Sequence, residues 1–122
     1  MEVLIIDGAN VVGSRPDGWW RDRPGAARSL HEKLSTAGLP QNEVVLLLEG
    51  EARRGVHAGQ VGHIRTVHAA GSGDDAIVEQ VRQCGVRDGR DVVVVTADRE
   101  LRDRVEAVGA STKGPKWLLD QL

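Results

Sequence analysis

Three short apolar runs set the terms on which this chain can fold. Val3-Leu4-Ile5-Ile6, Val44 to Leu48 and Val92 to Val95 are continuously hydrophobic, without the alternation of a sheet wetted on one face. Such runs suit strands buried on both sides, and the stretches between them are amphipathic and long enough to be helical crossovers. One has apolar positions at Ala26, Ala27, Leu30 and Leu34, is entered through Arg23-Pro24-Gly25, and is ended by Gly38 and Pro40. A second opens at Gly71-Ser72-Gly73, starts at Asp74-Asp75 with Ile77, Val78, Val81 and Cys84 on one face, and stops at Gly85. A third runs from Arg99 to about Val108, with Leu101, Val105 and Val108 at helical spacing. Val61 to Val67, broken by Gly62, reads as a weaker strand. Gly109-Ala110-Ser111 reads as a short last strand before a helical turn begun by Pro115. Strands alternating with helices predict an α/β fold with a doubly wound, parallel sheet of about five strands. One domain is expected over residues 1–122.

Charge and cysteine content narrow the function classes. The 16 Lys+Arg and 18 Asp+Glu leave a formal charge of −2, so bulk charge gives no reason to bind nucleic acid. No apolar run approaches the roughly 20 residues that cross a bilayer, so no membrane association is expected. The opening Met1 to Asp7 lacks the basic n-region of a signal peptide. A single cysteine, Cys84, excludes an internal disulfide framework and a Cys-rich zinc site, and a reducing cytoplasm is the expected compartment.

The apolar runs share an ending. Ile6 is followed by Asp7, Leu48 by Glu49, and Val95-Thr96-Ala97 by Asp98. In a parallel sheet these ends lie on one edge, the edge where such folds carry their sites. The helix that begins with Asp74 and Asp75 opens onto the same edge, and Glu100 follows Asp98 within one turn. An acid after a strand also serves as a helix cap or turn former, and that explains any one of these residues taken singly. Four separate segments delivering acid to one edge call for more. Crowded carboxylates repel and raise one another's pKa, and the usual relief is a hard divalent cation. With no His or Cys among them, Mg²⁺ or Mn²⁺ is favoured over zinc.

Divalent ions at such an edge act on phosphate esters, and several phosphate chemistries are testable by their missing residues. A haloacid-dehalogenase-like phosphatase needs a second Asp two residues after Asp7, where Ala9 stands. A P-loop needs Lys after Gly13, where Ser14 stands, and a dinucleotide fingerprint fails at Gly8-Ala9-Asn10 for want of its second glycine. A receiver domain needs an acceptor Asp at the third strand's end, where Val67-His68-Ala69 stands.

Asp7-Gly8-Ala9-Asn10-Val11-Val12-Gly13 resembles the opening motif of NYN-type ribonuclease domains, in the bacterial branch of the PIN-like nucleases. Ser72-Gly73-Asp74-Asp75-Ala76-Ile77 is similar to the second acidic motif of that superfamily. Thr96-Ala97-Asp98-Arg99-Glu100-Leu101 is similar to the third. Gly109-Ala110 resembles a glycine-alanine pair in the last strand of the bacterial branch. The resemblance implies a PIN-like αβα sandwich around a parallel sheet and a metal-dependent ribonuclease. It implies Mg²⁺ or Mn²⁺ held by Asp7, Asp74, Asp75 and Asp98, with Glu100 as a further ligand. Asn10 and Thr96 would orient the acids or touch phosphate, and Ser72 and Arg99 are expected to bind substrate with them. Where the family pattern has Asp, this chain has Glu49 and Glu100, and Asp103 competes with Glu100.

Substrate contacts are expected on both flanks. Ser14 to Arg23 offers Arg15, Arg21 and Arg23 for phosphates, and Trp19 or Trp20 for stacking a base. The bland alternative buries both indoles, Trp20 more than Trp19. Glu51 to His57, with Arg53 and Arg54, reads as a mobile basic loop. His31, His57, His63 and His68 lack metal-ligand spacing, and Cys84 and Trp117 read as packing residues. A catalytically weak RNA-binding or scaffold domain is the rival reading, and a metal-dependent phosphatase a weaker third. No motif decides between a monomer, a homodimer and a regulatory partner protein. Setting aside Asp7, Glu49, Asp74, Asp75, Asp98 and Glu100 leaves twelve acids facing sixteen bases, so the frame around the acidic edge is mildly basic.

Overall fold

A computed structural model describes residues 2–41 and 43–122. Six strands form one sheet: β1 Glu2–Asp7, β2 Glu43–Leu48, β3 Gly59–Val61, β4 Ile64–His68, β5 Asp91–Val95 and β6 Ser111–Lys113. Their spatial order is β3-β4-β2-β1-β5-β6. All pairings are parallel except that of β3 with β4. Five helices pack on the sheet: α1 Gly8–Gly13, α2 Arg23–Thr36, α3 Gly73–Val81, α4 Arg99–Ala107 and α5 Pro115–Leu119.

The continuous apolar runs are explained by two cores. Val3 to Ile6 are completely buried, because β1 lies between β2 and β5 with helices on both faces. Side chains alternate between faces along a strand. Val3 and Ile5 therefore join Val45, Leu47, Val92 and Val94 under α3 and α4, where Ile77, Val81, Leu101 and Val105 meet them. Leu4 and Ile6 join Val44, Leu46, Val93 and Val95 under α1, α2 and α5, against Val11, Leu30, Leu34 and Leu118. Each fully buried Ile or Leu contributes about 1.5–3 kcal/mol. The result is an αβα sandwich.

Three expectations are corrected. Val61 to Val67 is two strands, not one: Gly62, at φ 60°, turns the chain between β3 and β4, and the hairpin adds a sixth, antiparallel edge strand. Gly85 does not stop its helix, which widens into a π-helical turn over Arg82–Arg87. The last strand starts at Ser111, beyond the expected Gly109-Ala110, and pairs with β5. Cys84 is buried as expected.

The strand order also locates a switch point. From β1 the chain steps outward to β2 and β4, then returns across the sheet to β5 on the other side of β1. The helix after β1 packs on one face and the helix after β5 on the other. The C-terminal ends of β1 and β5 therefore border a crevice, the usual place for a site in an open α/β sheet.

Candidate active site

Asp7 ends β1 and caps α1. Its Oδ1 accepts from the Asn10 backbone N–H at 3.4 Å, and its Oδ2 from the Thr96 hydroxyl at 2.9 Å. Burial pushes its carboxyl up from 3.8 to about 6, with Asp74 and Glu49 adding to the rise while the Thr96 and Asn10 bonds oppose it. Gly8 must be glycine, since a Cβ there would lie 2.6 Å from the Leu47 carbonyl oxygen of β2. The Asp-Gly pair thus lets the chain leave β1 hard against its neighbour.

Thr96, fully buried just beyond β5, links two acids: its hydroxyl donates to Asp7 and accepts from the Asp98 backbone N–H at 3.1 Å. The Asn10 side-chain oxygen accepts from the Ala97 N–H at 2.8 Å. These bonds tie the loops after β1 and β5 together across the switch point. Asp98 caps α4, its Oδ1 accepting from the Leu101 N–H at 3.1 Å.

The two neighbouring aspartates of α3 differ. Asp74 is half-buried and its pKa is raised, first by burial and then by Asp98 and Glu49; Arg104 opposes the rise and Glu100 adds to it. Asp75 is exposed and pairs with Arg104 at 2.8 Å. Asp74 is thus the member of the pair that shares the field of the other acids. Arg104 is a site neighbour that sequence reading missed, because its place depends on the packing of α4 against α3. Asp103 is exposed on α4.

Glu49 is partly committed, its Oε2 accepting from the Gly73 N–H at 2.7 Å and so capping the first turn of α3 together with Ser72. Ser72 is that helix's N-cap, accepting from the Asp75 N–H. Arg53 and Arg54 lie on a 3-10 turn, Gly50–Gly55, in place of the expected mobile loop. The Arg53 guanidinium donates to the carbonyls of Gly50 and Ala69, while Arg54 is exposed. Arg15, which follows α1, and Arg99, the first residue of α4, are exposed. The expectation for the indoles is reversed: Trp20 is 54% exposed, while Trp19 is half-buried and packs at Gly13. Arg21 lies over Trp20 and Arg23 over Trp19.

The site is therefore a group of oxygen donors held by their neighbours' hydrogen bonds. Among the described residues, no three Asp, Glu, His or Cys already form a metal cage. No helix among them is long and apolar enough to cross a membrane.

No described protein family matches the sequence, and no curated protein matches it. Solved structures do. Rae1 (YacP) from Bacillus subtilis superposes with a TM-score of 0.70 at 20% identity, over 98% of this chain and 72% of that one. Its W164L mutant superposes with a TM-score of 0.64 at 16% identity, over 98% and 74%. The likeness is one of fold. What the two share is an α/β architecture: a mostly parallel six-stranded sheet flanked by helices.

Proposed function

We propose that the protein is a ribonuclease that hydrolyses RNA phosphodiester bonds at the C-terminal edge of its sheet, with Mg²⁺ or Mn²⁺ as cofactor. The observation that carries the reading is that Asp7 at the end of β1 and the backbone of Asp98 beyond β5 are tied together through Thr96 at one edge, with Asp74 of α3 close enough to act on Asp7. Asp7 and Asp74, from elements far apart in sequence, are both raised by burial and by other carboxylates of the same group. A nuclease-type fold supports it.

The donor set fits a hard cation. Every donor is a carboxylate oxygen, the ligand type that such ions prefer. Asp7, Asp74 and Asp98 would hold it, with Glu100 nearby and Asp75 the least engaged because of its pairing with Arg104. When bound, such an ion supplies a water of lowered pKa and charge to stabilise the leaving oxygen. The chain's own residues do the positioning. Thr96 fixes one Asp7 oxygen and the backbone of Asp98 together, and Asn10 holds the Ala97 amide. Arg15, Arg54 and Arg99 are free to meet backbone phosphates on the flanks. The cytoplasm, where RNA substrates are at hand, is the proposed compartment.

RNA cleavage during a metal titration tests the reading. Wild type cleaves with added Mg²⁺ or Mn²⁺, and Asp7→Asn and Asp98→Asn do not; unchanged cleavage by both variants removes the site. Hydrolysis of a nucleoside monophosphate without RNA cleavage would mark a phosphatase. One observation favours a second reading, an RNA-binding domain without turnover. Both Asp7 oxygens and one of Asp98 already accept hydrogen bonds from the protein. That reading predicts RNA binding with no cleavage at any metal concentration.

A further inference from the structure

Next to the acidic edge, on the α1 and α2 side, lies a cleft of about 200 Å³. Its rim includes Gly8, the residue after Asp7. Its walls are mostly apolar, formed by Trp19, Ala27, Leu48 and Ala52 among others, with one carboxylate, Glu49, and one guanidinium, Arg23. Arg23 is held over the Trp19 ring, 5.3 Å from its centroid. Glu49 uses Oε2 to accept from the Gly73 N–H, which leaves Oε1 without a hydrogen-bond partner among the described residues.

We propose that this cleft seats one unpaired base of the RNA beside the phosphate to be cut, and that Glu49 selects guanine there. The inference rests on the ribonuclease reading and specifies its substrate. A base that leaves its stack loses contact on both faces, and an indole with aliphatic neighbours restores it without preference for sequence. A paired base cannot enter such a cleft, so the RNA is single-stranded at this position. The polar groups then decide identity. A carboxylate oxygen only accepts, and a guanidinium only donates. Guanine presents adjacent N1–H and N2–H donors on one edge and the O6 and N7 acceptors on another, matching Glu49 and Arg23. Adenine and cytosine each set an acceptor beside their amino donor, and uracil flanks its single N–H with two carbonyls. Glu49 also contributes to the raised pKa values of Asp7 and Asp74, so the residue that reads the base lies within the field of the acids.

The test separates the cleft from the chemistry by using uncharged nucleosides without metal. Guanosine, adenosine, cytidine and uridine are titrated into the wild-type protein while NMR follows the Ala27 and Ala52 methyls and the Trp19 indole. Guanosine should shift these signals and bind about tenfold more tightly than the other three. Equal binding of all four, or shifts confined to other residues, overturns the proposal. Glu49→Gln can keep the Gly73 bond through its amide oxygen while turning a donor into the cleft. It should erase the guanosine preference, and a preference that survives removes Glu49 as the reader. Trp19→Leu should weaken all four nucleosides together. RNA cleavage is scored separately. Cleavage with no nucleoside effect at the cleft overturns the base pocket and leaves the ribonuclease standing. Guanosine binding at the cleft by a protein that cuts no RNA upholds the pocket and removes the ribonuclease reading.

Discussion

The two edges of the sheet use the same residue types to opposite ends. At the N-terminal edge of β2, Glu43 accepts from Arg90 and lies 3.6 Å from Arg65. Arg90 also reaches Asp88 at 3.2 Å, and Arg65 donates to Gln80 at 2.9 Å. Hydrogen bonding to Glu43 holds the Arg90 guanidinium above its ordinary pKa, so each charge there has an opposite partner. At the C-terminal edge, Asp7 and Asp74 face other acids and both are raised. The cluster around Glu43 pairs its charges. The other edge concentrates charge of one sign, which costs stability and creates a demand for a cation. A site of this kind is expected to trade stability for activity.

Asp7→Asn breaks that contrast most strongly. Loss of a carboxylate at the reacting centre should lower RNA cleavage on the order of 10²–10³-fold in kcat. The same change should remove the pH dependence that Asp7 gives to stability. Between pH 4 and 6 the folded state binds more protons than the unfolded chain, because the Asp7 pKa rises from 3.8 to about 6 on folding. Wild-type stability therefore falls as pH rises through that window, and the cost is complete above about pH 6. Relative to wild type, Asp7→Asn should gain about 2–3 kcal/mol of stability between pH 4 and pH 8, on top of a pH-independent loss for the hydrogen bond its amide cannot accept from Thr96. Urea unfolding at several pH values measures it, and a stability difference that does not change with pH would refute the account. Added Mg²⁺ should raise the Tm of wild type and leave that of Asp7→Asn nearly unmoved, since only a protein that binds the ion gains from it.

Arg90→Met probes the opposite edge. It leaves Glu43 with only the more distant Arg65, and should destabilise the protein by about 1–3 kcal/mol while cleavage per folded molecule stays within about twofold. A loss of kcat at unchanged stability would mean that the two edges are not separate. The smallest effect is expected at Asp75. Its exposed pair with Arg104 contributes at most about 1 kcal/mol, so Asp75→Asn should change both stability and cleavage little. Asp74→Asn should instead approach the loss seen for Asp7→Asn. Equal behaviour of the two would erase the distinction drawn between neighbours on α3.

The helix caps show how much was legible. Asp7, Ser72 and Asp98 each accept a hydrogen bond from the N–H three residues on, as expected of a polar residue between a strand and a helix. They do so whether or not they also serve chemistry. The sequence could therefore place the acids at one edge but could not rank them. Ranking needed Thr96, whose bond to Asp7 spans 89 residues, and Arg104, whose bond to Asp75 crosses from α4 to α3. The indoles make the same point. Nothing local distinguishes Trp19 from Trp20, and only the surface of α1 at Gly13 decides which one is covered.

By itself, then, the sequence determined the buried strands, the helices between them and the edge to which the acids belong. These follow from hydrophobic periodicity and capping, which act over a few residues. The tertiary structure decided which strands are neighbours, that β1 and β5 border the switch point, and that Asp74 rather than Asp75 joins the strained acids. It also decided that Gly62 turns a hairpin, and that Glu49 lines a cleft beside Asp7. Those outcomes depend on pairings between segments far apart in the chain, where burial and charge are set by what packs alongside.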